Sequence, residues 1–250
     1  MNNKNSERTP KSEMVGQRLR YRLKFTKSGP VRFIGHLDLM SLFAMAIKRA
    51  ALPIAYSEGF NPHQLISFAL PLSLGYYSNG EYVDIALKTD VNCKKLVEAL
   101  NQNLPDGLML IAAKAIHPGE KSGAALVSAC AYKVLLPEAH RVSVEVAKNF
   151  ISQDTIVISK KTKKSVADID ILPDIYHFEL QEKDGLVTEI NMRISAGPNR
   201  SIRADSVMKA LFDFSGKPYP EYGLIFVREE MYQENAAAPA AQHINDRTLI

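Results

Sequence analysis

The period of the apolar residues along this chain changes from two to about 3.6 and back, in the same order, twice. That recurrence limits the fold more than any single motif does. Arg18–Lys27 alternates strictly, with Leu19, Tyr21, Leu23 and Phe25 on one side and Arg18, Arg20, Arg22 and Lys24 on the other. Such a stretch predicts a half-buried strand whose solvent face is a row of cations. Leu37–Ala51 then repeats apolar residues at helical spacing (Leu39, Leu42, Phe43, Ala46, Ile47, Ala50), with Lys48 and Arg49 in the last turn, where they suit the helix dipole. Pro53 ends it. Strands follow at Ile66–Leu72 and Tyr82–Leu87, with Ser78-Asn79-Gly80 between them as a hairpin turn signal. A second helix over Val91–Asn103 is closed by Pro105-Asp106-Gly107, and a strand covers Leu108–Ala115. A short extra strand fits around Ile54–Tyr56.

His117–Gly123 (HPGEKSG) breaks the pattern, and beyond it the order recurs. A strand at Tyr132–Leu136 and a helix at Val142–Ile151 come first. Strands at Thr155–Lys160, Tyr176–Gln181 and Leu186–Ile194 follow, the last two joined by an Asp184-Gly185 turn, then a helix over Arg203–Phe214 and a strand over Gly223–Glu229. The repeat lies in the order of elements and not in residue identity. It predicts an α+β fold of two tandem ferredoxin-like (split β-α-β) domains with antiparallel sheets. The expected boundaries are 18–116 and 125–233, joined by a linker at 117–124. The flanks 1–17 and 234–250 have loop-like composition and are expected to be disordered tails.

A chain of 250 residues with 46% hydrophobic and 23% charged residues has the composition of a globular protein. Its net charge of +4 matters less than where the charge sits. From Arg18 to Arg49 eight Arg and Lys stand against one acid, Asp38, and a second cluster follows at Lys160, Lys161, Lys163 and Lys164. Patches of that kind favour polyanionic partners such as RNA, although a solvated face has the same composition. Cys93 and Cys130 are the only cysteines, too few for a disulfide framework, a zinc motif or an iron–sulfur cluster. They point to a reducing, cytoplasmic compartment. No apolar run approaches the ~20 residues that cross a bilayer, so no membrane association is expected.

Two polar clusters flank the first helix. At its start, His36 and Asp38 follow Gly35, with Arg32 just before, an arrangement suited to an anion or to proton transfer, and equally to a stabilised first turn. The loop Ser57-Glu58-Gly59-Phe60-Asn61-Pro62-His63 places a carboxylate, an amide and an imidazole within a turn held by Gly and Pro. One Glu and one His without a third ligand do not make a metal site. Glu81 and Asp84 fall on opposite faces of their strand, which argues against a carboxylate pair, and Asp84 can meet a cation of the first strand if the two are neighbours. In the second half, Ser195–Arg203 (SAGPNRSIR) leads into a helix, with Ser201 and Asp205 as capping residues and Asn199 and Arg203 facing an anion. No phosphate-binding GxxxxGK, dinucleotide GxGxxG or GxSxG nucleophile motif is present. No cofactor is implied.

GPVRFIGHLDLM (Gly29–Met40), AYSEGFNPH (Ala55–His63), SFALPLSLG (Ser67–Gly75) and GEYVDI (Gly80–Ile85) resemble the signature of the bacterial radical-SAM-linked proteins. That domain of unknown function occurs alone or fused behind a radical SAM enzyme. In the second half, KKTKKSVADIDI (Lys160–Ile171) and SAGPNRSIR carry the resemblance. The chain departs from the family after FNPH, where Gln64 and Leu65 stand in place of Pro and a basic residue. The resemblance implies a partnership with a radical SAM enzyme, in tRNA or rRNA metabolism.

Three functions follow as expectations. The first is a non-catalytic RNA-binding or substrate-presenting subunit. Its contacts would be Arg20, Arg22, Lys24, Arg32, His36, Ser57, Glu58, Asn61, His63, Lys160, Lys161, Lys163, Lys164, Asn199 and Arg203. The second is a ferredoxin-like RNA-processing endonuclease using His36 or His63, which resembles the CRISPR repeat-processing ribonucleases in outline. The third is a protein–protein adaptor.

Overall fold

A computed structural model describes residues 18–161, 166–198, 200–234 and 244–250. The first half runs β1 (Leu19–Lys27), α1 (His36–Arg49), β2 (Ile66–Phe68), β3 (Tyr77–Leu87), α2 (Cys93–Asn101) and β4 (Leu108–Ile116). All its pairings are antiparallel, in the spatial order β4-β1-β3-β2. After α3 (Gly123–Leu126), the second half contributes β5 (Val127–Leu135), α4 (Val144–Ile151), β6 (Val157–Lys161), β7 (Val166–Asp170), β8 (Ile175–Lys183), β9 (Leu186–Ser195), α5 (Ala204–Phe214) and β10 (Ile225–Glu234). With β6 and β7 set aside, its order β10-β5-β9-β8 is again antiparallel throughout. Each half therefore places its fourth strand beside its first, then its third and second, the order of a split β-α-β unit.

The apolar faces read from the sequence build two cores. Tyr21, Leu23 and Phe25 of β1 meet Val83 and Ile85 of β3, Phe43 and Ile47 of α1, and Leu96 and Leu100 of α2. Val134, Ile190, Met192 and Ile194 meet Phe150 of α4 and Val207, Leu211 and Phe212 of α5. Each such side chain, fully buried, contributes roughly 1.5–3 kcal/mol. Asn92 caps α2, its side chain accepting from the Lys94 and Lys95 amides at 3.0 and 3.3 Å, and the Ser143 side chain caps α4 by accepting from the Val146 amide. The Asp184-Gly185 turn forms as expected, with both residues at positive φ (54° and 73°).

Four features depart from the sequence reading. The two sheets are one, because the start of β3 pairs in parallel with β10, Tyr77 beside Val227 and Ser78 beside Arg228. Ser78-Asn79-Gly80 is consequently not a hairpin turn but the joint itself. Ser78 Oγ donates to the Arg228 carbonyl (3.1 Å), and Asn79 Nδ2 to Glu229 Oε2 (2.7 Å). A Cβ on Gly80 would lie 2.6 Å from the Glu229 carbonyl oxygen, so the glycine serves close backbone approach. Third, the strand expected at Thr155–Lys160 leaves the main sheet and pairs with β7 as a separate two-stranded hairpin. Finally, the expected C-terminal tail contains β11 (Ile244–Thr248), which pairs with β10, and Leu249 is buried. Residues 1–17 and 235–243, also expected to be disordered, lie outside the described residues. The short strand around Ile54–Tyr56 is present as two single bridges, Ile54 to Leu87 and Tyr56 to Gln64.

Candidate nucleic-acid interface

The loop after α1 closes on itself through Ser57 and His63. Ser57 N–H donates to the His63 carbonyl (2.8 Å), and His63 N–H donates to Ser57 Oγ (3.1 Å). The hydroxyl also meets His63 Nδ1 at 2.8 Å. The direction of that bond follows the tautomer of the ring, and in either tautomer it leaves Nε2 as the ring nitrogen turned away from Ser57. Beyond this clasp stands Phe60, fully exposed, with Asn61 and Pro62 also exposed. Tyr56 is partly exposed at the base of the loop, and Lys88 Nζ lies 5.9 Å from its ring centre.

The loop leans back on β1. Arg18 Nη2 bonds Glu58 Oε1 at 2.8 Å, and Arg18, Arg20, His63, Ser67, Asp84 and Ser122 line one cleft of about 300 Å³. The first strand and the loop, forty residues apart in sequence, thus share a site. Arg18, Phe60, Tyr56 and Lys88 were absent from the expected contacts. Phe60 carried a readable signal, an aromatic ring inside a Gly/Asn/Pro loop with no apolar neighbours to bury it.

The row of cations on β1 is not the open face its alternation predicts. Arg22 is fully buried. It makes a two-pronged pair with its register partner Asp84 (Nε–Oδ1 2.8 Å, Nη2–Oδ2 3.0 Å) and also donates to the carbonyls of Lys121 and Leu249. Asp84 accepts in addition from the Gly123 amide at 2.8 Å. Lys24 is paired with Glu230, and Arg20 donates to the Glu120 carbonyl. The covering segments come from 117–126 and 248–250, which alternation within β1 cannot reveal.

On the opposite face of β3, Glu81 takes its own arginine. Arg228 Nη1 donates to both Glu81 oxygens (3.0 and 3.1 Å), Nε to the Tyr132 hydroxyl (3.1 Å) and Nη2 to the Pro71 carbonyl (3.0 Å). Burial pushes the Glu81 carboxyl above its ordinary range, with Arg228 opposing. Burial also pushes the Lys27 amine down, with Glu81 opposing, while Lys27 Nζ donates to the Ile34 carbonyl at 2.8 Å. Glu81 and Asp84 do lie apart, each with a guanidinium, as their spacing indicates.

The other expected contacts are dispersed. Arg32 lies between the rings of Phe33 and Tyr77, at 4.4 and 4.6 Å, and donates to the Tyr77 hydroxyl. His36 sits edge-on to Phe68 at 5.4 Å, in the first turn of a helix whose Gly35 cap offers no side chain. Arg203, not Ser201, is the cap residue of α5, and it is held by Asp205 at 2.9 and 2.6 Å. Lys160 and Lys161 belong to β6, while Lys163, Lys164 and Asn199 lie outside the described residues. Among the described residues, no three His, Cys, Asp or Glu side chains converge as a metal site, and no helix is long and apolar enough to cross a membrane.

The fold is α+β, a largely antiparallel sheet carrying few helices, and its cleft joins a strand to a loop in the first unit. A family model described as an uncharacterized protein conserved in bacteria (DUF2344) matches residues 20–204, and the chain belongs to that family. No curated protein matches the sequence. Among solved structures, the chain is similar to one from the crystal structure of a Cbf5-Nop10-Gar1 complex, with a TM-score of 0.41 and 12% identity. The likeness covers 86% of this chain and 50% of that one, so this chain spans about half its length.

Proposed function

We propose that this protein is a non-catalytic RNA-binding partner of a radical SAM enzyme, and that it holds unpaired RNA at the cleft between β1 and the Ser57–His63 loop. The observation that carries the reading is Phe60, a fully exposed ring in the same loop as His63, which lines a cleft together with Arg18 and Arg20. Single-stranded nucleic acid is bound by cations that track phosphates and by aromatic faces on which bases stack. Tyr56 beneath Lys88 supplies a second such pair at the loop's base. His63, oriented by Ser57, offers its Nε2 as a polar contact to a base or a phosphate, a recognition role rather than proton transfer. The radical SAM partner comes from the resemblance of the Gly29–Ile85 motifs.

Fluorescence anisotropy with a labelled unstructured oligouridine tests the RNA reading. Phe60→Ala is expected to weaken binding by the ~1–3 kcal/mol that stacking one base contributes. Its melting temperature should be unchanged, since the ring is exposed. An affinity that Phe60→Ala leaves alone, or that barely moves with salt, overturns the reading.

A second surface supports direct contact with the enzyme partner. Phe33, against Arg32, and Leu74 are exposed beside the Arg32–Tyr77 stack, and Gly75 N–H donates to the Arg32 carbonyl, holding Leu74 nearby. An aromatic and arginine patch of this composition is typical of interface hot spots. Retention of a co-expressed radical SAM enzyme after RNase treatment, and its loss on Phe33→Asp, is the expected result.

A further inference from the structure

The face of β1 turned away from α1 and α2 gathers three cations under one acid. Arg22 and Lys114 are register partners across β1 and β4, and Arg20 lies two residues along the same face. The segment 117–122 crosses above them. Its Glu120 Oε1 is 3.5 Å from Arg22 Nη1 and 3.6 Å from Lys114 Nζ, and its carbonyl accepts from Arg20. Both carboxylate distances exceed the roughly 2.7–2.9 Å of a well-made charge-assisted bond. Glu120 therefore fills this cluster loosely. With Arg22 already matched by Asp84, the charge left for the Glu120 carboxylate to answer is chiefly that of Lys114, while Arg20 is held only by the Glu120 backbone carbonyl.

The same segment separates two clefts. On one side lies the cleft of about 300 Å³ that Arg18, Arg20 and Ser122 line; on the other lies one of about 470 Å³ lined by Lys114, Glu120 and Leu249. Moving residues 120–122 aside would join them into one groove across β1, with Arg20, Arg22 and Lys114 along its floor. We infer that these three residues form a phosphate site, that Glu120 occupies it in the free protein, and that a backbone phosphate of bound RNA takes its place. The inference rests on the RNA-binding reading above and adds to it a second contact and a built-in competitor. A phosphate brings more acceptor oxygens than the single carboxylate oxygen that now faces two cations, so it can satisfy all three donors together.

The test uses the full chain and the labelled oligouridine across a salt series. Glu120→Gln keeps the shape of the side chain and removes its charge. It is expected to bind several-fold more tightly than the wild type, with a salt slope steeper by about one. Lys114→Ala placed in the Glu120→Gln background should remove that gain. If the wild type binds and Phe60→Ala weakens it, but Glu120→Gln changes neither affinity nor slope, the phosphate site is overturned and the RNA reading stands. Absence of binding by both wild type and Glu120→Gln overturns both. Should Glu120→Gln lower the melting temperature, Lys114→Ala alone decides: the site requires a slope shallower by about one, and an unchanged slope overturns it.

Discussion

Among the described residues, Arg22 and Arg228 are buried in the sheet, on opposite faces, and they do different things. Arg22 faces its own unit. Its partner Asp84 is the neighbouring residue across β1 and β3, and the pair fastens the Gly123 amide and the Lys121 carbonyl over the sheet. Arg228 faces the other unit. It reaches from β10 to Glu81 of β3 and to the Leu70 and Pro71 carbonyls, so one side chain gathers a strand, a loop and a carboxylate from the first half. Arg22 holds a cover in place; Arg228 holds two units together. A buried charge that loses its partner costs far more than the pair contributes, so these positions separate sharply under substitution.

Arg228→Met should have the largest effect. It strands Glu81 in a dry joint with Ser78 and Lys27 as its remaining neighbours, and a loss of about 3–5 kcal/mol is expected from denaturant unfolding. Adding Glu81→Leu should restore most of it, because the second change removes the stranded charge. If the double variant is no more stable than the single one, the joint is not where the two units are locked.

Asp84→Asn should cost less, about 1–3 kcal/mol, because Arg22 keeps Glu120 and the carbonyls of Lys121 and Leu249 as acceptors. Its distinctive sign is local. The Gly123 amide should exchange its hydrogen faster, while amides at the β3–β10 joint keep their protection. Equal acceleration at both places would erase the contrast between a cover and a lock.

The smallest effect concerns pH. Burial lowers the pKa of Lys27, so between that value and the ordinary amine value near 10.4 the unfolded chain binds more protons than the folded one. Stability therefore rises with pH across this window, as the cost of a buried ammonium disappears. Lys27→Met should flatten that rise and stabilise the protein at neutral pH. A variant that keeps the wild-type slope shows that another group titrates there.

Only part of the candidate site is legible in the sequence. The Ser57–His63 loop stood out because Gly, Asn and Pro confine a carboxylate, an amide and an imidazole in a short turn, and the structure adds the Ser57–His63 clasp. The pairing of Asp84 with a cation of β1 was also within reach, since it follows from strand adjacency and a period of two. Alternation alone puts Arg22 on an open face, whereas it is buried. Alternation states which side of a strand a residue takes, not what lies over that side, and here the cover comes from 117–126 and from Leu249, more than two hundred residues away. Ser78-Asn79-Gly80 imitates a hairpin turn for a related reason. A glycine that admits a turn and a glycine that admits a close neighbouring backbone look alike until β10 is in place.

By itself the sequence determined most of the elements, their doubled order and the apolar faces that make two cores, because these rest on period and on local backbone chemistry. Tertiary structure alone decided that the two units share one sheet, which charges are sealed inside it and which remain at the cleft. Those outcomes depend on contacts between residues far apart in the chain, where no local preference acts and only burial, register and charge matching choose the partner.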